Sequence, residues 1–176
     1  LVTGVAVGSA TITVTTEDGG FEATCAVTVN EGIDTSWYTS DPTALSYTLS
    51  TAAQLRGLSY LVNASEVEWT GLGLETTNPD YGTTTRFIGK TFTLAGDLWL
   101  NPDSAPQQTQ WIPIGGGTTN SGAATGAFSF GGTFDGAGHT LHNIYIKVGG
   151  TSIWYANQGL FGMVARGATI KNVTVT

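Results

Sequence analysis

Charge is scarce in this chain. Asp, Glu, Lys and Arg make up 11% of its 176 residues, against roughly 25% in an ordinary globular protein. Basic residues number only 6, against 13 acidic ones, for a net charge of −7 and a pI near 4.5. Nucleic acid is therefore excluded as an expected partner, because counterion release needs clustered Lys and Arg. Cysteine occurs once, at Cys25, so no disulfide closes within the chain. Cys25 stands in an alternating apolar run with no His or Arg beside it, which predicts a small buried side chain rather than a reactive thiol. No apolar run reaches the roughly 20 residues of a transmembrane helix, so no membrane insertion is expected. An initiating Met and a secretory leader are both missing at Leu1, and the chain reads as a piece of a larger protein.

Threonine, with 30 residues, and glycine, with 25, fill the space that charge leaves. Thr favours strands and Gly favours tight turns, so the composition predicts an all-β chain. A hydrophobic content of 40% is enough for a core. The most informative stretch lies near the C-terminus. Gly138-His139-Thr140-Leu141-His142-Asn143-Ile144-Tyr145-Ile146 matches Gly167-Ala168-Thr169-Ile170-Lys171-Asn172-Val173-Thr174-Val175 at an offset of 29 residues. Apolar positions alternate in both copies, so each reads as a strand. A strand that recurs at a fixed period with no convincing helix between predicts the stacked coils of a parallel β-helix, a solenoid in which each coil hides the aliphatic row of its neighbour. Asn143 and Asn172 would then lie one above the other as an asparagine ladder, the alternative being that each is only a turn former.

Residues 1–30 predict a β-hairpin with one face buried. Ala10, Ile12 and Val14 alternate with threonines, Asp18-Gly19-Gly20 is a turn signal, and Phe21, Ala23, Cys25, Val27 and Val29 alternate again. Residues 31–36 read as a linker. Ser46-Tyr47-Thr48-Leu49 is a short strand. One convincing helix follows: Thr51 and Gln54 form a capping pair, Leu55, Leu58, Leu61 and Val62 share a face, and Asn63 ends it. Such a helix would cover the open edge of a first coil, or else pack on the core with no capping role. Residues 64–86 read as a long irregular loop. Strand character resumes from Gly89 to Leu100, Trp111 to Gly115 is a short strand or corner, and residues 149–158 are an inserted loop.

Two resemblances follow from these residues. Val2-Thr3-Gly4-Val5-Ala6-Val7-Gly8, Ala10-Thr11-Ile12-Thr13-Val14, Asp18-Gly19-Gly20 and Ala26-Val27-Thr28-Val29 resemble the C-terminal part of a bacterial immunoglobulin-like domain of group 2. Residues 37–176 resemble the opening of a GLUG-motif array, through Ser50-Thr51-Ala52-Ala53-Gln54-Leu55, Phe87-Ile88-Gly89-Lys90-Thr91-Phe92, Trp111-Ile112-Pro113-Ile114-Gly115, Gly132-Thr133-Phe134-Asp135-Gly136-Ala137-Gly138-His139-Thr140 and Gly159-Leu160-Phe161-Gly162. The stretch 64–86 is longer than that pattern, and only one Gly-Leu-Phe-Gly element is present. The resemblances imply a partial immunoglobulin-like β-sandwich followed by the first coils of a β-helix, in a secreted or cell-surface bacterial protein. The implied role is adhesive or structural and non-catalytic, with a host or neighbouring-cell surface protein or glycan as partner. The alternative is a glycan-binding accessory module of a secreted carbohydrate-active enzyme or peptidase.

Candidate chemistry is sparse. His139 and His142, three apart on a strand, point to opposite faces and do not suit one metal. Asp97, Asp103 and Asp135 leave calcium open as a cofactor, but no Asp-x-Asp-x-Asp-Gly loop is present. Glycoside hydrolysis needs two facing carboxylates about 5–10 Å apart. Glu66 and Glu68 alternate on one apparent strand face, with no second acid paired to them by pattern. No catalytic residue is assigned. Trp99 and Trp111 sit in alternating runs and are expected in the core, whereas Trp69, Trp154 and Tyr155 are the candidates for ligand binding, the alternative for Trp69 and Trp154 being that they plug their loops onto the solenoid. Asn63-Ala64-Ser65 and Asn172-Val173-Thr174 match the glycosylation triplet, with Asn172 expected to be buried.

Overall fold

A computed structural model describes residues 8–17, 20–29, 32–74, 78–101, 108–116, 128–146 and 157–176. Trp154, Tyr155, Asp103, most of the expected loop 149–158 and the stretch Val2 to Val7 lie outside the described residues. The chain begins with an antiparallel hairpin of β1 (Gly8–Thr15) and β2 (Glu22–Val29), in register from Gly8↔Val29 to Thr15↔Glu22. A short helix, α1 (Ser36–Thr39), follows. Asp34 prepares it: its Oδ1 accepts from the Ser36 N–H at 2.9 Å and from the Ser36 hydroxyl at 2.6 Å. Next come β3 (Ser46–Leu49) and α2 (Ala52–Asn63).

Helix α2 starts where its cap predicts. The Thr51 side chain accepts from the Gln54 N–H, while Gln54 Oε1 reaches back to the N–H and hydroxyl of Ser50. Its apolar face, Leu55, Leu58, Leu61 and Val62, is fully buried. Burial of that size is the main force holding a short helix in place, at about 1.5–3 kcal/mol per aliphatic side chain. A third helix, α3 (Glu66–Gly71), carries a reciprocal capping box in which Ser65 accepts from the Glu68 N–H and Glu68 Oε2 accepts from the Ser65 N–H.

The remaining strands are short: β4 (Thr85–Arg86), β5 (Thr91–Leu94), β6 (Leu98–Trp99), β7 (Ser129–Phe130), β8 (Thr133–Asp135), β9 (Thr140–His142), β10 (Thr169–Lys171) and β11 (Thr174–Val175). They pair in parallel as three small sheets, ordered β10-β8-β5-β3, β11-β9-β6 and β4-β7. Alternate residues point inward, so Tyr47, Phe92 and Phe134 line up across the four-stranded sheet, and Leu98 and Leu141 across the three-stranded one. Tyr47 and Phe92 stack at 5.5 Å and 13°. Trp69, Phe87 and Phe130 extend this aromatic core.

These findings correct several expectations. The chain is not an all-β solenoid with one capping helix after a partial β-sandwich; it mixes three helices with small, mostly parallel sheets. Helix α2 and Trp69 of α3 supply core side chains. The two copies of the sequence repeat do not stack at equivalent positions: β9 of the first copy pairs with β11 of the second, whereas β10 lies in a different sheet. Ile170 pairs with Phe134, and Leu141 with Leu98 and Val175. Parallel partners stand 45, 42 and 36 residues apart (Ser46↔Thr91, Thr91↔Thr133, Thr133↔Thr169), not 29.

The asparagine ladder is differently composed as well. Asn143 exchanges bonds with Asn101, Nδ2 to carbonyl in both directions at 2.9 and 3.0 Å. Asn172 instead donates to Asp135 Oδ1 at 3.0 Å. Asn172, expected to be buried, is exposed, and Asn63 is buried. Residues 64–86 hold α3 and β4 rather than one irregular loop. Cys25 is exposed. Among the described side chains of the hairpin only Ile12 is half-buried, and the rest are exposed.

Candidate functional site

The three-stranded sheet presents its outer face to solvent. Leu98 and Leu141 turn inward and are buried, which forces their neighbours Trp99 and His142 outward. The parallel register sets Trp99 beside His142. Their rings lie 4.6 Å apart, centroid to centroid, and only 16° from parallel. Thr176 continues the row: its N–H donates to the Leu141 carbonyl, and its hydroxyl lies 3.1 Å from His142 Nδ1. Strand β6 is an edge strand, and Trp99 remains 52% exposed despite the imidazole against it.

Beside this row stands a polar one. Asp97 Oδ1 accepts from the Thr140 N–H at 2.9 Å and lies 3.3 Å from His139 Nδ1. The Thr140 N–H, and after it His139, hold the Asp97 carboxyl below the usual carboxylate range. An ionised acceptor therefore sits near a rigidly held, half-exposed indole. Such a pairing can stack on the C–H face of a sugar ring and accept hydrogen bonds from its hydroxyls.

The residues singled out from sequence are placed as follows. Trp69 is fully buried, its Nε1 donating to the Leu61 carbonyl at 3.0 Å and its ring lying 4.4 Å from the Arg86 guanidinium carbon. It offers no face to a ligand. Trp111 is buried, donating to the Leu160 carbonyl. Trp99, expected in the core, is instead the exposed one. Its signal was parity: Leu98 and Leu100 flank it, and both are buried.

His139 and His142 hold different partners, Asp97 and the Trp99–Thr176 row. Asp135 is occupied by the Ala137 N–H, Asn172 and Lys171, and these donors, in that order, lower its pKa. Glu66 and Glu68 lie in the first turn of α3 rather than on a strand. Among the described residues no three His, Cys, Asp or Glu side chains gather as a metal set, and no helix is long and apolar enough to cross a membrane. Comparison with protein-family models, with curated proteins and with solved structures found no match.

Proposed function

We propose that this chain is a non-catalytic adhesive module of a secreted or cell-surface bacterial protein, and that it holds a surface glycan on the outer face of the β6-β9-β11 sheet. The observation that carries this reading is the parallel stack of Trp99 on His142, with 52% of Trp99 in solvent. A half-exposed indole held face-on to a second ring is pre-organised, so little side-chain entropy is lost when a sugar packs on it. Asp97 and Thr176 stand within the same face to receive or give hydrogen bonds. The GLUG-like motifs supply the surface setting.

The test is a glycan array probed with the wild-type chain and with Trp99→Ala. Binding to a defined subset of glycans, lost in the variant while its melting temperature stays within a few degrees, is the expected result. A wild-type chain that binds nothing on the array, or binding that Trp99→Ala leaves intact, removes the reading.

A further inference from the structure

A second site lies away from the Trp99 face. A cavity of about 360 Å³ opens between the turn before β3 and the segment leading through β4 to β5. Its polar lining is Asp80, Lys90 and three threonines, Thr43, Thr83 and Thr85. Leu45, Pro79 and Ile88 form its apolar wall. Local sequence explains the arrangement. Phe87 is held in the left-handed region (φ 67°) and gives its N–H to Asp80 Oδ1 at 2.7 Å. The tight turn closed by Lys90 N–H to the Phe87 carbonyl then throws Ile88 outward and draws Lys90 inward. Ile88 and Leu45 are each 70% exposed at the rim, whereas Asp80 and Lys90 are only 5% and 3% exposed.

The hydrogen-bond inventory of this lining defines what it would take. The Thr43 hydroxyl proton is committed to Asp41 Oδ1, that of Thr83 to the Asp80 or Thr85 carbonyl, and Thr85 shares its hydroxyl with Ser129. Those hydroxyls keep lone pairs for a ligand. Asp80 accepts from Tyr38 through Oδ2 and from Phe87 through Oδ1, and each oxygen keeps further acceptor capacity. Lys90 spends two of its three donors on the Pro42 and Ala44 carbonyls, each at 2.9 Å, and its ammonium lies 5.7 and 5.8 Å from the Tyr38 and Tyr47 ring centroids, so the third N–H is shared between those rings and a ligand. Asp80 and Lys90 make no ion pair with each other; the ion pairs among the described residues are those of Asp97 and Asp135.

The cavity is thus rich in acceptors, with one ammonium donor and an apolar wall. An anion would face Asp80 and the threonine lone pairs, and a cation would face Lys90. A neutral ligand with several hydroxyl donors and a C–H face fits both the polar and the apolar lining. We infer that this cavity binds a single neutral monosaccharide ring, its hydroxyls donating to Asp80 and the threonines, one oxygen accepting from Lys90, and its C–H face against Leu45 and Ile88. The volume lies near the lower end of small-molecule sites, which run from about 300 Å³.

This inference rests on the cavity alone and stands or falls apart from the Trp99 reading. Amide proton–nitrogen correlation spectra of the whole chain, titrated separately with glucose, galactose and mannose, test it. At least one sugar is expected to shift the amides of Thr83, Thr85, Ile88 and Lys90. Ile88→Asp and Thr85→Val are each expected to weaken that binding by about tenfold, and Trp99→Ala to leave it unchanged. Sodium acetate serves as the anionic probe. The inference is overturned if no sugar moves these amides, if acetate moves them and the sugars do not, or if the response survives both cavity variants or is lost in Trp99→Ala.

Discussion

Gly57, in the middle of α2, abuts the backbone of Asp34: a β-carbon there would stand 1.9 Å from the Asp34 carbonyl oxygen and 2.8 Å from its carbonyl carbon. The contact is part of a dock. Asp34 N–H donates to the Ala53 carbonyl at 3.0 Å, and Trp37 Nε1 donates to the Asp34 carbonyl at 2.8 Å. In an open helix, Gly→Ala stabilises by about 1 kcal/mol. Here the sign reverses, because backbone cannot rotate out of the way as a side chain can. Gly57→Ala is expected to cost about 2 kcal/mol and to lower the melting temperature by roughly 4–8 °C. A melting temperature equal to or above wild type contradicts the dock.

The Asn101–Asn143 exchange makes a prediction that the sequence repeat would not. Asn143 sits in the left-handed region (φ 57°) while it trades bonds with Asn101. Asn143→Ala loses the bond its side chain gives to the Asn101 carbonyl, keeps the backbone carbonyl that accepts from Asn101, and adds backbone strain, for about 2 kcal/mol in all. Asn143→Gly loses the same side-chain bond but keeps the backbone at ease, and is expected to cost about 1 kcal/mol less. In denaturant unfolding, the double variant Asn101→Ala/Asn143→Ala should show a coupling above about 0.5 kcal/mol. Asn143→Ala combined with Asn172→Ala should be additive.

That contrast shows how far the sequence could be read. Helix α2, with its Thr51 cap and its leucine face, and the strands Ser46–Leu49 and Thr91–Leu94 follow from spacing alone. The nine-residue repeat records something more local than stacking. Asn143 and Asn172 adopt nearly the same left-handed conformation, φ 57° and 54°, just after β9 and β10. The shared pattern encodes one turn used at the ends of two strands, and which strands then pair is set by how the intervening chain returns. Helix α3 announced itself only by Ser65 and Glu68. A six-residue helix is too short to show its period, so the alternation of Glu66 and Glu68 mimicked a strand and Trp69 read as a loop residue. Alternation at Cys25 identified a face of the hairpin but could not say whether anything covers it.

Acid should weaken the fold through two carboxylates, the exposed Asp97 and the half-buried Asp135. Asp135 is depressed mainly by the Ala137 N–H, with Asn172 and Lys171 adding, and Asp97 mainly by the Thr140 N–H, with His139 adding. Both folded-state pKa values lie below the unfolded value of about 3.9. The unfolded chain then binds more protons in the interval between them, so stability rises with pH there. The contribution is complete above about pH 4 and disappears as the pH falls through the folded values. Melting temperatures measured from acid to neutral pH should drop on the acid side. Asp97→Asn and Asp135→Asn should each make that drop shallower, and an unchanged acid limb in both variants would speak against these carboxylates.

The two tryptophans whose sequence contexts suggested opposite places give the sharpest separation of core from surface. Trp69 is enclosed between Arg86 and the aromatic core, with its Nε1 bonded to the Leu61 carbonyl. Removing it leaves a cavity, strips the buried guanidinium of a ring face and orphans a carbonyl, so Trp69→Ala is expected to cost about 3–5 kcal/mol. Trp99 lies on the outer face, and Trp99→Ala should change stability by no more than about 1 kcal/mol, chiefly the lost stack on His142. Iodide quenching of tryptophan emission provides an independent check. The emission that iodide reaches should fall in Trp99→Ala, whereas Trp69 should contribute only to the protected fraction. If Trp69→Ala melts like wild type and Trp99→Ala does not, the inward and outward assignments on which the glycan-binding face depends are reversed.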